Sequence, residues 1–200
     1  MFIHLNMVGR FLELARMAPA LRDLAMLCLA GYTFLLRVPS EGIPIAAHEF
    51  QGAGAPVFRI HADTVELWLP KRKNRMHPVS ILRKCWCKTD AATCPVHVLG
   101  AYFKELSESA QPFIGMSQGS VLDGIRRMLA AMAVPSAALY RTHDLRRGHA
   151  EDMRINGASL GEILRAGDWR SPAFLHYLDA EQLELDRTVE AHLDDSSGEE

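Results

Sequence analysis

The 200-residue sequence has few cysteines, no long uninterrupted apolar segment and almost no net charge. Its four cysteines are too few for a disulfide scaffold at this length, and three of them lie within ten residues, which indicates thiols or a metal site. No apolar run reaches the roughly 18 residues of a membrane span, and the N-terminus lacks the pattern of a secretory signal peptide. We therefore expect an intracellular protein with no membrane partner.

The net charge of −2 is an average over segments of opposite sign. Residues 71–88 contain seven basic side chains and no acidic one. Residues 179–200 contain nine acidic side chains and one arginine, so residues 1–178 have a formal charge of +6. A basic segment is often only a solvated face, but this distribution also permits nucleic acid as a partner.

The spacing of apolar residues predicts a mainly α domain with one small antiparallel sheet, which is an α+β fold class. Residues 1–18 are a linker or a leading helix, and nearly continuous apolar residues predict a buried helix over residues 19–36. Alternation over residues 57–82 predicts the sheet, with its tightest turn near Lys73 and with Pro70 and Pro78 at strand ends. Further helices are predicted at residues 95–108, 118–133, 143–156, 159–166, 171–178 and 180–193.

Local signals predict where several of these helices begin and end. Ser159 and Glu162 have the spacing of a capping box at the start of a helix. Gly157 and Gly167 are predicted to end helices at their C-termini. Residues 194–200 are predicted to be a disordered acidic tail, because they contain no apolar side chain that could be buried.

Residue types suited to phosphate chemistry are concentrated after residue 142. His143 and Arg146 are three positions apart, so they share one face near a helix N-terminus, where an anion is favoured. Trp169 follows Gly167 and Asp168, and Tyr177 lies in the second turn of a short predicted helix. Each residue alone also has an ordinary structural explanation, as a helix cap, a surface charge or a loop anchor.

Taken in order, these residues resemble the catalytic end of the tyrosine recombinases, the phage integrase superfamily. The resemblance extends over residues 21–193 and includes Arg37, in Leu-Leu-Arg-Val-Pro-Ser-Glu, as the first arginine of the family pattern. Lys73 matches the lysine in the turn of the small sheet, with Lys71 as the alternative. Glu41 follows Arg37 by four positions, where the family usually has three. The interval from Trp169 to Tyr177 is one residue shorter than in the commonest members.

The resemblance implies that DNA is cleaved and rejoined through a 3′-phosphotyrosyl bond without a metal or nucleotide cofactor. It implies that Arg37 and Arg146 hold the phosphate, that His143 and Trp169 add donors, and that Tyr177 is the nucleophile. Lys73 would protonate the leaving 5′ oxygen. We expect the phosphates of double-stranded DNA to be contacted by basic side chains that lie outside this set, namely Lys71, Arg72, Arg75, Arg83, Lys84, Lys88 and Arg147.

The resemblance also suggests how the chain is organised. Residues 1–193 would be the catalytic domain, and the N-terminal core-binding domain of the family is absent from this sequence. A C-terminal helix would either dock on a neighbouring protomer, giving a tetramer on DNA, or pack on its own domain.

The Arg-Val-Pro-Ser-Glu and Cys-Pro-Val-His segments are similar to those of eukaryotic, Crypton-like mobile elements, which predicts site-specific recombination or integration and a nuclear location in a eukaryotic host. The main alternative is an inactive DNA-binding or assembly module derived from a recombinase.

A separate cluster contains Cys85, Cys87, Cys94 and His97. Thiolate and imidazole groups at such spacings suit a tetrahedral zinc ion. The other interpretation is a set of unligated thiols at a junction between a strand and a helix. From the sequence we favour the thiols and expect no cofactor.

Overall fold

The computed structural model describes residues 1–48, 50, 54–73 and 76–169. Helix α1 (Leu5–Met17) is followed by a 3-10 turn (Pro19–Leu21) and by helix α2 (Arg22–Thr33), and the two helices pack against each other. As predicted, α2 is buried along most of its length. It ends at Thr33 rather than at residue 36, because Leu35 adopts a left-handed φ of 51° that a right-handed helix cannot contain.

The predicted sheet is confirmed as three antiparallel strands in the order β1 (Val57–Ile60), β2 (Thr64–Leu69) and β3 (Val79–Lys84). Leu69 pairs with Val79, so Pro70 and Pro78 stand directly outside the β2–β3 ladder, where their missing N–H groups break no ladder hydrogen bond. The alternate side chains of β2 are buried against the helices. The segment that joins β2 to β3 is the β2–β3 turn, of which residues 70–73 and 76–78 are described.

The remaining described elements are helical, in agreement with the sequence pattern. They comprise α3 (Pro95–Glu105), α4 (Gln118–Ala131), a 3-10 turn (Ala137–Leu139), α5 (Asp144–Ile155) and α6 (Leu160–Gly167). Ser159 and Glu162 form the predicted capping box, and Gly157 adopts a φ of 80° just after α5. The helices predicted at residues 171–178 and 180–193, and the tail at 194–200, lie outside the described residues.

The N-terminal segment packs against the beginning of α5. The backbone N–H of Ile3 donates to the carbonyl of Asp144 at 2.9 Å, and the Ile3 side chain is fully buried. A Cβ atom on Gly148 would lie 1.9 Å from the Ile3 carbonyl oxygen, so only glycine allows this approach. This contact helps to fix the start of α5, the region in which His143 and Arg146 lie.

The predicted fold class is confirmed: the described residues form a mainly helical domain with one small antiparallel sheet. One large apolar core joins α1 to α5 and the sheet, and α6 adds a smaller cluster around Ile163. Within the described ranges, every helix is too short or too polar to cross a lipid bilayer.

Candidate active site

Arg37 follows the left-handed turn that ends α2 and begins a π-helical turn (Val38–Gly42). In this turn the N–H of Ile43 donates to the carbonyl of Val38 at 2.9 Å, five residues back. Between Arg37 and Glu41 the backbone makes an α-type bond, with the N–H of Glu41 donating to the carbonyl of Arg37 at 2.8 Å. Two unusual backbone features therefore flank Arg37, the left-handed Leu35 before it and the π-helical turn after it.

Glu41 is buried and holds Arg37 in place. Its carboxylate accepts hydrogen bonds from the backbone N–H of Arg37 at 2.8 Å and from Arg37 Nη1 at 3.0 Å. Arg72 Nε lies 3.7 Å from the same carboxylate, and Arg72 Nη2 donates to the carbonyl of Leu35 at 3.1 Å. The sequence interval left the supporting role of Glu41 open, and the structure supports that role.

His143 and Arg146 occupy the beginning of α5, close to the predicted positions. His143 is the N-cap residue, and its ring makes no capping hydrogen bond. Arg146, three residues later, is almost fully buried, and its Nη2 donates to the carbonyl of Gly167. The guanidinium of Arg146 therefore joins the start of α5 to the end of α6.

The C-terminal end of α6 directs the Trp169 side chain toward Arg146. Asp168 adopts a left-handed φ of 54°, and the N–H of Trp169 donates back to the carbonyl of Leu164 at 3.0 Å. The Trp169 ring then lies against Arg146, with Cζ 4.5 Å from the ring centroid. A Cβ atom on Gly167 would lie within 1.9 Å of that ring, so the stacking requires glycine there.

The charges of the Arg37 segment and of the start of α5 act on the His143 ring. Burial lowers the pKa of His143 below its usual value, and the positive charges of Arg146 and Arg37 lower it further. The pKa is also lowered by Arg141, an exposed side chain that the sequence analysis missed although it lies two positions from His143. The structure thus brings Arg37, His143, Arg146 and Trp169 into one electropositive region.

The structure does not distinguish the two candidate lysines. Lys71 and Lys73 are both exposed in the β2–β3 turn, on either side of the buried Arg72. Both therefore stay candidates for the general acid. Tyr177, the predicted nucleophile, lies outside the described residues.

The basic segment does not form a uniform surface, because two of the arginines that we expected to contact DNA are directed toward the interior. Arg72 is buried on Leu35 and Glu41, as described above. Arg83 is half-buried, and its Nε donates to the carbonyl of Thr33 at 2.8 Å. Arg72 is therefore not the exposed phosphate contact expected from charge alone, whereas a DNA contact by the partly exposed Arg83 stays a prediction.

The other predicted DNA contacts have different surroundings. Lys84 and Lys88 are exposed, like Lys71, whereas Arg75 lies outside the described residues. Arg147 is half-buried, lies 3.6 Å from the Asp144 carboxylate and covers the Phe2 ring at 4.8 Å. Exposed positive charge in the described part of this segment is therefore contributed by lysines.

A cleft of about 200 Å³ lies next to the site, between β3 and the end of α6. Its polar lining includes Arg72, Arg83, Arg165 and Asp168. Arg165 has no place in the sequence pattern, and only the fold brings it beside the basic segment.

The cysteine cluster is also assembled by the fold. Cys85 and Cys87 follow β3, Cys94 is the N-cap of α3, and His97 lies in the first turn of α3. One ligand atom from each of the four residues lies within 4.8 Å of all the others.

Two solved structures of the XerH site-specific recombinase are similar to this chain. The post-cleavage complex bound to palindromic difH substrate matches with a TM-score of 0.62 and 13% identity, over 94% of this chain and 53% of that chain. The pre-cleavage complex bound to difH substrate matches with a TM-score of 0.60 and 13% identity, over 94% of this chain and 54% of that chain. The chain thus spans about half the length of these recombinase chains. No family model and no curated protein matches the sequence.

Proposed function

We propose that this chain, which has the catalytic-domain fold of the tyrosine recombinases, cleaves and rejoins double-stranded DNA through a 3′-phosphotyrosyl intermediate. The observation that supports this most strongly is the meeting of Arg37, His143, Arg146 and Trp169. They come from three separate parts of the chain. The fold that brings them together is that of the family whose residue pattern the sequence resembles.

The two arginines have the properties that phosphoryl transfer requires. Charge develops on the non-bridging oxygens of the phosphate in the transition state, and guanidinium groups donate to such oxygens in a fixed planar geometry. Glu41 positions Arg37, and the Gly167 carbonyl positions Arg146. Because both side chains are already oriented, little reorganisation accompanies the reaction.

The histidine, the nucleophile and the general acid complete the proposed step. The lowered pKa of His143 keeps its ring neutral near pH 7, with one donor and one acceptor nitrogen. The Tyr177 oxygen forms a bond to phosphorus while the bond from phosphorus to the 5′ oxygen breaks. The phenolic proton passes to the neutral imidazole, and Lys73 donates a proton to the departing oxygen. Attack by a 5′ hydroxyl reverses the step, so strand exchange requires no ATP.

The biological setting of this chemistry is part of the same proposal. Exposed Lys71, Lys84 and Lys88 would contact DNA phosphates, and self-association on DNA would bring the exchanging strands together. The sequence resemblance suggests recombination or integration of a mobile element as the setting. The protein would then be associated with DNA in the cell.

A covalent trapping experiment tests the proposal without knowledge of the cognate site. The full chain is incubated with a pool of nicked duplexes that contain a randomised central region, and adducts that survive denaturation are isolated and sequenced. We expect an adduct that is lost in Tyr177→Phe and retained in the matched control Tyr102→Phe, whose phenol instead donates to Asp23. An adduct that persists in Tyr177→Phe would disprove the nucleophile assignment. DNA binding without any adduct would favour the inactive DNA-binding module instead.

A further inference from the structure

We propose that Cys85, Cys87, Cys94 and His97 form a structural zinc site that joins the end of the sheet to the beginning of α3. This site is separate from the proposed recombination chemistry, and nothing in that chemistry requires it. The sequence left zinc and unligated thiols as two interpretations, and the side-chain geometry favours zinc.

The distances between the ligand atoms match a tetrahedral site. Cys94 Sγ lies 3.7 Å from Cys85 Sγ, and His97 Nδ1 lies 3.0, 3.4 and 3.8 Å from the sulfurs of Cys87, Cys94 and Cys85. In a tetrahedral zinc site, Zn–S bonds of about 2.3 Å and Zn–N bonds of about 2.0–2.1 Å place two sulfurs about 3.8 Å apart and a sulfur and nitrogen about 3.5 Å apart. Bond formation therefore requires only small side-chain movements.

The convergence of three sulfurs on one nitrogen argues against the other roles of a cysteine and histidine pair. A nucleophilic thiol needs one imidazole and an orienting partner, and it does not need two further thiols at the same nitrogen. A disulfide is not present among the four cysteines of the chain, all of which are free. Three thiolates and one imidazole are a common set of ligands for structural zinc.

The surrounding backbone holds the ligands in place by its own hydrogen bonds. The N–H of Cys85 donates to the carbonyl of Asp63 in the β1–β2 turn at 3.1 Å. The N–H groups of Thr89 and Asp90 donate to the carbonyl of Trp86 at 2.8 and 3.0 Å, which turns the chain after Cys87. This turn brings the chain back toward α3.

The segment that leads into α3 is organised by Asp90. Its carboxylate accepts from the backbone N–H of Ala92 at 2.9 Å and from Thr93 Oγ1 at 2.6 Å. Cys94 and His97 then stand three positions apart at the start of α3, so their side chains share one face. The four ligands thus come from two rigid elements and a hydrogen-bonded loop.

Charge and exposure are also consistent with a zinc site. Three thiolates and one neutral imidazole around Zn²⁺ give a net charge of −1, and the exposed lysines Lys84 and Lys88 flank the first two ligands in sequence. Cys94 is buried, while Cys85 and His97 are exposed. The ion can therefore enter from solvent and still be anchored from the interior.

Metal analysis of the full chain tests this proposal independently of DNA cleavage. The reduced protein is purified without chelator, its zinc content is measured by elemental analysis, and its mass is measured by native mass spectrometry. We expect one zinc ion per chain, and a tetrahedral spectrum with thiolate-to-metal charge transfer after replacement of zinc by Co²⁺. Less than about a tenth of an equivalent of zinc, iron in its place, or a cobalt spectrum without charge transfer would each overturn the proposal.

Variants distinguish these ligands from other cysteines and histidines. His97→Asn and Cys94→Ser should each lose stoichiometric zinc, while Cys28→Ala and His61→Asn, which lie outside the cluster, should retain it. Chelator should lower the melting temperature of the wild type and leave that of His97→Asn unchanged. Zinc retained in both ligand variants would overturn the assignment. Failure of Tyr177-dependent cleavage with zinc present would refute only the proposed function.

Discussion

At the scale of single residues, the candidate site depends on a buried carboxylate that compensates two arginine side chains. Glu41 contacts both Arg37 and Arg72, and its carboxylate is only 3% exposed. A buried carboxylate that compensates two guanidiniums cannot be removed without leaving charge uncompensated in the interior. The direction of Arg37 is therefore tied to the stability of the domain.

We expect Glu41→Gln to lower the free energy of unfolding by about 3 kcal/mol, because two partly or fully buried arginines lose their counter-ion. Urea unfolding followed by circular dichroism measures the change. The matched control is Glu105→Gln, which removes the partner of Arg22 in an exposed ion pair and should cost less than about 1 kcal/mol. Equal losses in the two variants would contradict the role assigned to Glu41.

A second prediction at this scale distinguishes Lys73 from Lys71. Replacing the general acid should slow cleavage by about 10²–10⁴-fold with an ordinary DNA substrate, because the 5′ oxygen then leaves without a proton. A 5′-thiolate leaving group needs no proton, so it should restore the rate of Lys73→Ala. The same measurement on Lys71→Ala is the control, and rescue of that variant alone would transfer the role to Lys71.

At the scale of elements, the positions of helices are set by close contacts between segments distant in sequence. Gly148 allows Ile3 to reach α5, and Gly167 leaves room for the Trp169 ring, which lies against Arg146 of α5. His149 of α5 stacks on Tyr32 of α2 with ring centroids 4.6 Å apart. These contacts hold the first turn of α5, and with it His143 and Arg146, against the end of α2.

The contact at Gly148 predicts opposite effects for two glycine substitutions. Gly148→Ala should destabilise the domain by about 2 kcal/mol or more, because the new methyl group would overlap the Ile3 backbone. Gly161→Ala is the control, since a Cβ there meets nothing within 4 Å, and it should stabilise α6 by about 0.4–1 kcal/mol. Urea unfolding measures both variants, and a neutral Gly148→Ala would contradict the packing described.

The contact between α2 and α5 predicts a pH dependence of stability. Burial lowers the pKa of His149 to about 4, helped by the charge of Arg83 and opposed by the hydrogen bond to the Tyr32 carbonyl and by Asp152. The unfolded chain has a histidine pKa near 6.5, so it binds more protons than the folded state between pH 6.5 and 4. Stability from this residue is therefore complete above about pH 6.5 and is lost as the pH falls toward 4.

We expect this residue to account for a loss of about 1–2 kcal/mol between pH 7 and pH 5. Denaturant unfolding at the two pH values should show a smaller loss in His149→Gln than in the wild type. His77→Gln, which replaces an exposed histidine, should behave like the wild type. An unchanged pH dependence in His149→Gln would refute the prediction.

At the scale of the whole molecule, fewer basic side chains of residues 71–88 are exposed than the sequence suggests. The segment 71–88 contains seven basic residues, yet Arg72 is buried and Arg83 is half-buried against backbone carbonyls. The exposed lysines of the segment are therefore the residues we expect to bind phosphate. The predicted affinity for DNA is electrostatic and falls as the salt concentration rises.

This distribution predicts the salt dependence of binding to a duplex of arbitrary sequence. Removing Lys84 and Lys88 together should reduce the slope of log affinity against log salt concentration by about 0.9 for each lost phosphate contact. Lys104→Ala, an exposed lysine on α3, is the control and should leave the slope unchanged. Fluorescence anisotropy over a salt series measures the slopes, and equal slopes in all three proteins would contradict the predicted surface.

The sequence by itself determined the fold class, the small sheet, most of the described helices and the order of the candidate residues. This was possible because apolar periodicity, prolines at strand ends and helix-capping residues act over a few positions. The helix predicted over residues 19–36 shows where local patterns fail. It ends at Thr33, because Leu35 adopts a left-handed conformation that the apolar pattern does not indicate.

Only the tertiary structure decided which charges face inward, how Glu41 reaches Arg37 and Arg72, and whether the cysteines meet. The partners of Arg72, Leu35 and Glu41, lie more than thirty positions away in the sequence. The four candidate zinc ligands come together because β3 ends beside the beginning of α3. Burial and the direction of a side chain depend on neighbours that are distant in sequence, and no local pattern contains that information.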